Sequence, residues 1–207
     1  MPTATAAAVI TGKLGGSVEQ LTTYTLLSNF AIALFVPAFF PVVHPYSHLT
    51  FGQGFLTILC KVFPLLIGPF VVALILRSLY QSIHHSPLRL SSFLSGLPFY
   101  IWAFSLVILM ASTTHSLIYD DYDMWAAVLL AVGALGMCLL QFFFGKWIGK
   151  HYAARISAGQ ALGQKNTILG IWMAHTYLLP LSALGPAAYI IWQNLFNSWQ
   201  LWRHGRR

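Results

Sequence analysis

Charge is the scarcest property of this chain. Only 7% of its 207 residues are charged, against about 25% in a typical soluble domain. Acids are rarest: Glu19, Asp120, Asp121 and Asp123 are the four, and none lies inside an apolar run. That excludes a paired-carboxylate acid–base centre within the apolar sequence. Cysteine is nearly absent too. Cys60 and Cys138 each sit within apolar sequence, so they read as small buried hydrophobes rather than a disulfide or metal pair. No GxSxG, HExxH, CxxC or P-loop pattern occurs. An enzyme is therefore not expected, and neither is a metal site. The net charge of +7 would suit nucleic acid if it formed one stripe. The basic residues instead mark the ends of apolar stretches, and no nucleic-acid partner is expected. The N-terminal MPTATAAAVITGK has no basic residue ahead of its apolar part and makes a poor signal peptide.

What the chain has in quantity is apolar surface. It is 57% hydrophobic and 15% aromatic, with a mean hydropathy of +0.71. These values predict an all-α integral membrane protein, a multi-pass helical bundle with the lipid bilayer as partner. Spanning helices are expected over 21–43, 55–80, 93–117, 124–148 and 183–202, with an interrupted element over 152–181. Residues 2–16 are small and threonine-rich. At about 1.5 Å per residue they cannot cross a hydrocarbon core of ~30 Å, so they predict half a helix.

The loops predict orientation. Arg77 and Arg89 lie in one connection, Lys146, Lys150 and Arg155 in another, and Arg203, Arg206 and Arg207 after the last span. The intervening connections carry no basic residue, and one holds Asp120, Asp121 and Asp123. Under the positive-inside rule this alternation puts the C-terminus in the cytoplasm. A bacterial inner (plasma) membrane is the expected location. Trp147, Tyr152, Trp199 and Trp202 at the basic ends fit an interfacial aromatic belt. Lys61, close to a span end, is expected to snorkel, and His175 to be a hydrogen-bonded structural residue.

The most informative stretch is SAGQALGQKNTILGIWMAHTYLLP, residues 157–180. It opens polar and glycine-rich, passes through Gly163-Gln164-Lys165-Asn166-Thr167, and then turns apolar. The pattern predicts a helix interrupted at membrane depth between residues 159 and 166, with 167–179 helical beyond it. Non-helical backbone survives there only when buried in protein or lining a wet cavity, and such interruptions form substrate and ion sites in secondary transporters. Gln160, Gln164, Asn166 and Thr167 supply amide and hydroxyl groups, and Lys165 a charge that needs a partner or a wet cavity. The bland alternatives are interhelical bonding for the amides, snorkelling for Lys165 and back-bonding to their own helix for Thr3, Thr5 and Thr11.

The run Pro2-Thr3-Ala4-Thr5-Ala6-Ala7-Ala8-Val9-Ile10-Thr11, the Gly15-Gly16 that closes it and the Gly163–Thr167 cluster together resemble the bile acid:sodium symporter family. The resemblance implies a ten-helix inverted-repeat transporter whose fourth and ninth helices are broken and cross near the membrane centre. Residues 2–16 would be the second half of the fourth helix, and the first three and a half helices would have no counterpart here. Residues 1–43 and 124–207 would belong to the family's core and 52–117 to its smaller panel. The implied function is secondary active, symporter-like transport of small organic anions of bile-acid or related type. Binding residues would come from Thr3, Thr5, Thr25, Gln160, Gln164, Lys165, Asn166 and Thr167. The alternative is an inert truncated fragment without transport of its own.

Sodium is the coupling ion that the resemblance implies, and no other cofactor is expected. Here the residues depart from the family: Gln160-Ala161-Leu162 stands where it carries an acid, and Lys165 where a glutamine commonly precedes the asparagine. The Lys165 ammonium is expected either near the ion's place, bonded to freed carbonyls and to Gln160 or Thr25, or attracting an anionic substrate. Two like charges about 4 Å apart repel by roughly 4 kcal/mol at an effective dielectric of 20. Transport is therefore expected to be independent of sodium, or sodium to bind only if Lys165 is displaced or deprotonated.

Overall fold

A computed structural model describes residues 1–4, 6–43, 50–84, 100, 104, 107–108, 111, 114–115, 123–178 and 180–206. In chain order the helices are α1 (Ala7–Lys13), α2 (Val18–Val43), α3 (Phe51–His84), α4 (Met124–Lys150), α5 (Arg155–Gly163), α6 (Thr167–Tyr177) and α7 (Leu184–His204). A 3-10 turn over Pro180–Ala183 joins the last two. Among the described residues there is no strand, only one isolated antiparallel bridge between Thr3 and Lys165. Among the described residues three helices are long and apolar enough to cross a bilayer: Val18–Val42 within α2, Phe51–Ser82 within α3, and α4. At about 1.5 Å per residue each exceeds a ~30 Å hydrocarbon core. Their exposed faces carry Leu27, Phe35, Leu74, Leu76, Leu129 and Phe143. This is the architecture of an all-α membrane protein. The expected span over 93–117 lies largely outside the described residues.

Helix starts are set by side-chain caps, which satisfy otherwise unpaired backbone donors. The Ser17 hydroxyl accepts from the Gln20 amide at 3.2 Å, so α2 begins at Val18 rather than at 21. Thr50 and Gln53 form a reciprocal capping box: the Thr50 amide donates to Gln53 Oε1 at 3.0 Å and the Gln53 amide to Thr50 Oγ1 at 3.4 Å. That starts α3 at Phe51 rather than at 55. Asp123 Oδ1 accepts from the Trp125 amide at 3.1 Å and opens α4. The expected element over 152–181 begins only at Arg155 and its second part ends at Tyr177, two residues short of the expected 179.

The chain forms two compact units, one of residues 1–26 with 104–207, the other of residues 27–103. In the second, Ile58, Val62 and Leu66 recur every four residues and form the buried stripe of α3, while the Phe30 and Phe63 rings meet edge to face with centroids 6.4 Å apart. The first unit packs α4 against both α5 and α7. Phe142, Cys138, Ala134 and Tyr189 form its core, with Trp192 and Phe196 against them. The approach of α5 to α4 is unusually close, because Gly145 faces its backbone: a methyl on Gly145 would stand 2.4 Å from the Ala158 carbonyl oxygen. Gly163 lies against the Phe142 ring in the same way, the close-packing role its sequence position suggests.

Candidate functional site

The helix that begins at Arg155 stops at Gly163, and helix resumes at Thr167. Gln164 between them is extended, with φ −92° and ψ 110°. Its neighbours are polar, so the chain can leave the helix once other partners are supplied for its backbone groups. Residues 2–4 supply them. They run antiparallel to residues 164–166, with the Ala4 amide donating to the Gln164 carbonyl at 3.1 Å and the Asn166 amide to the Pro2 carbonyl at 2.8 Å. The Thr3 hydroxyl, buried, donates to the Ala161 carbonyl at 2.9 Å. This corrects the bland alternative for Thr3, which bonds across the molecule. Thr5 lies outside the described residues.

From α7, Gln193 grips Lys165 at two points. The Lys165 amide donates to Gln193 Oε1 at 2.9 Å, and Gln193 Nε2 donates back to the Lys165 carbonyl at 3.3 Å. Tyr189, one turn earlier, donates its hydroxyl to the Gly163 carbonyl at 2.8 Å. Every polar backbone group around the interruption that these bonds reach is satisfied at long range, as buried backbone requires.

The expected site residues divide accordingly. Thr3, Gln164, Lys165 and Asn166 come together at the bridge, with Gln160 one turn before it on α5. Asn166 Oδ1 accepts from the Leu169 amide at 3.2 Å and caps α6, a structural use of a side chain expected to bind ligand. Thr167 is buried in the first turn of α6. Thr25 donates to the Leu21 carbonyl of its own helix at 2.8 Å. Gln160 Nε2 donates to Asn197 Oδ1 at 3.1 Å. The Lys165 ammonium bonds to neither Gln160 nor Thr25, contrary to expectation. Lys165 is half-buried, and its ammonium forms no hydrogen bond or ion pair among the described residues. The two described carboxylates are Glu19, in the first turn of α2, and Asp123, the cap of α4.

Sequence reasoning missed Tyr189, Gln193 and Asn197. The signal was present, since they recur every four residues and Gln200 follows on the same face of α7. Gln193 and Asn197 are buried. Around this stripe, Gln160 Oε1, Gln164 Oε1, Asn197 Nδ2 and Thr11 Oγ1 are buried without a hydrogen-bond partner among the described residues. Gln160 lies on α5 and Gln164 in the extended stretch just beyond its end. Buried polar atoms are ordinarily satisfied, and a group of unsatisfied ones can receive a small polar or ionic guest. The oxygens present would suit a hard cation in kind, but no carboxylate joins them. Among the described residues no cluster of three His, Cys, Asp or Glu side chains could hold a metal ion.

No family model, curated protein or solved structure matches the chain.

Proposed function

We propose that this chain is a secondary active transporter of small organic anions, of bile-acid or related type, built on the core of the bile acid:sodium symporter architecture. One observation carries the reading: residues 2–4 pair antiparallel with residues 164–166 ahead of α1 and α6, and the half-buried Lys165 in that pairing has no carboxylate partner among the described residues. In this reading α5 and α6 are the halves of one discontinuous membrane helix and α1 is half of another. A cation held there without an anion favours an anionic cargo, because an intramembrane charge is costly until it is paired. The cargo carboxylate or sulfonate would pair with Lys165, and the unsatisfied amide oxygens of Gln160 and Gln164 would accept from cargo hydroxyl groups beside it. The protein would lie in a bacterial inner membrane with its C-terminus in the cytoplasm.

The same charge argues against sodium in this site, since a cation there would be repelled and no carboxylate would offset its lost hydration. Uptake of a panel of bile-acid-like anions into proteoliposomes containing the full chain tests the reading. The expected result is saturable uptake that does not change with external sodium and falls about tenfold in Lys165→Gln, the loss of ~1.4 kcal/mol of pairing. Absence of saturable uptake for every anion would sink the transporter reading. Uptake that rises steeply with sodium and ignores Lys165→Gln would sink the role of the lysine.

A further inference from the structure

A second cationic site lies in the first unit, away from the interruption. The end of α1, the last turns of α4 and α7 and the first turn of α5 line an open cavity of about 400 Å³, whose lining includes Lys146, Arg155, Arg203, His204, Gln200 and Trp199. Among the described residues no acidic side chain lines it, and no carboxylate pairs with Lys146, Arg155 or Arg203. Three fixed positive charges around one space repel each other, which is stabilised only if an anion comes between them.

The charges are placed, not merely gathered. The Lys146 stem lies against Gly159, where a methyl would stand 2.6 Å from Lys146 Cγ. Its ammonium donates to Gln200 Oε1 and stands 5.1 Å from the centre of the Phe196 ring. The Arg203 guanidinium lies 5.5 Å over the Trp199 ring. Arg155 begins α5, whose N-cap, Ala154, offers no side-chain acceptor, so the helix dipole adds to the positive potential.

We infer that this cavity binds the phosphodiester headgroup of an anionic phospholipid. Phosphate is the anion that arginines grip in two-point fashion, and the volume also admits a glycerol. A lipid is favoured over a free phosphate by the exposed surface of the helices that form the cavity. Trp147, Tyr152, Trp199 and Trp202 are exposed at the same helix ends, and Leu140, Phe143, Phe144 and Ile148 expose apolar surface along α4, where acyl chains can lie. Basic pockets between helices at a membrane interface take such headgroups.

Native mass spectrometry of the purified full chain in neutral detergent tests this. Phosphatidylglycerol and phosphatidylcholine of equal chain length are offered together. Phosphatidylglycerol should be retained about twenty-fivefold better, roughly fivefold for each arginine set against its net negative charge, which the choline of phosphatidylcholine cancels. The exposed pair Arg155→Gln and Arg203→Gln should abolish the preference, whereas Lys150→Gln with Arg206→Gln, basic neighbours outside the cavity, should leave it intact. Equal retention of the two lipids would overturn the proposal, as would a preference that survives the first double variant or disappears equally in the second. Inorganic phosphate at the same concentration should displace no lipid. Complete displacement would make this a free-phosphate site and defeat the lipid assignment.

Discussion

Helix α3 and the α5–α6 stretch answer the same problem in opposite ways. α3 contains Pro64 and Pro69 and still runs unbroken for 34 residues; α2 does likewise with Pro37 and Pro41. Residues 155–177 contain no proline, yet helix stops at Gly163 and resumes at Thr167. A proline inside a helix removes one backbone bond and costs about 3 kcal/mol. In α3 the residues around Pro64 and Pro69 are nearly all apolar, so the backbone has no better partner than its own helix. At residues 163–166 the partners exist: Pro2, Ala4, Tyr189 and Gln193 take over the backbone groups that the helix releases. Where helix stops in these two stretches thus follows the supply of alternative hydrogen bonds more than the position of proline.

The largest way to break this comparison is at glycine. Gly145→Ala should destabilise the purified chain by about 2–3 kcal/mol, because the new methyl meets backbone oxygen that cannot move without α5. Gly68→Ala in α3, where a methyl meets nothing within 4 Å, should instead be neutral or stabilise by up to ~1 kcal/mol. Thermal unfolding in one detergent measures both, and equal losses would mean that α5 does not depend on its close approach to α4.

Next in size is the grip of Gln193. Gln193→Ala should cost about 1–2 kcal/mol and speed hydrogen exchange at the Lys165 amide, which would lose its acceptor. Pro64→Ala, which restores a helical backbone donor, should not destabilise the chain and should leave exchange along α3 at least as slow as before. If the Lys165 amide stays protected in Gln193→Ala, the interruption is held by residues 2–4 alone.

The smallest effect separates two threonines. The Thr3 hydroxyl bonds across the molecule to Ala161, so Thr3→Ala should lose about 1 kcal/mol. Exposed Thr22 bonds back to Val18 in its own helix, and Thr22→Ala should fall within ~0.5 kcal/mol of wild type. Indistinguishable unfolding temperatures would show that the long-range bond contributes nothing.

The residues of 163–167 announced their interruption because its cause is partly local: four polar side chains cannot continue an apolar helix cheaply. The helix starts at Val18 and Phe51 were equally local, written in Ser17 and in the Thr50–Gln53 pair, but they were obscured by reading apolar runs instead of caps. The polar stripe of α7 was legible as spacing and was overlooked because its setting is that of an ordinary span.

By itself the sequence determined the apolar lengths of α2, α3 and α4, the scarcity of acids that leaves its lysines and arginines largely uncompensated, and the place where helix gives way. Those depend on neighbours within a turn or two. Only the tertiary structure decided that Thr3 meets Ala161, that Gln193 holds Lys165 by both its backbone groups, and that Lys146, Arg155 and Arg203 face one cavity. A glutamine or an arginine can satisfy many partners equally well. Which one it takes depends on how closely α4, α5 and α7 pack, and that is fixed by glycines and aromatic rings far away in the chain.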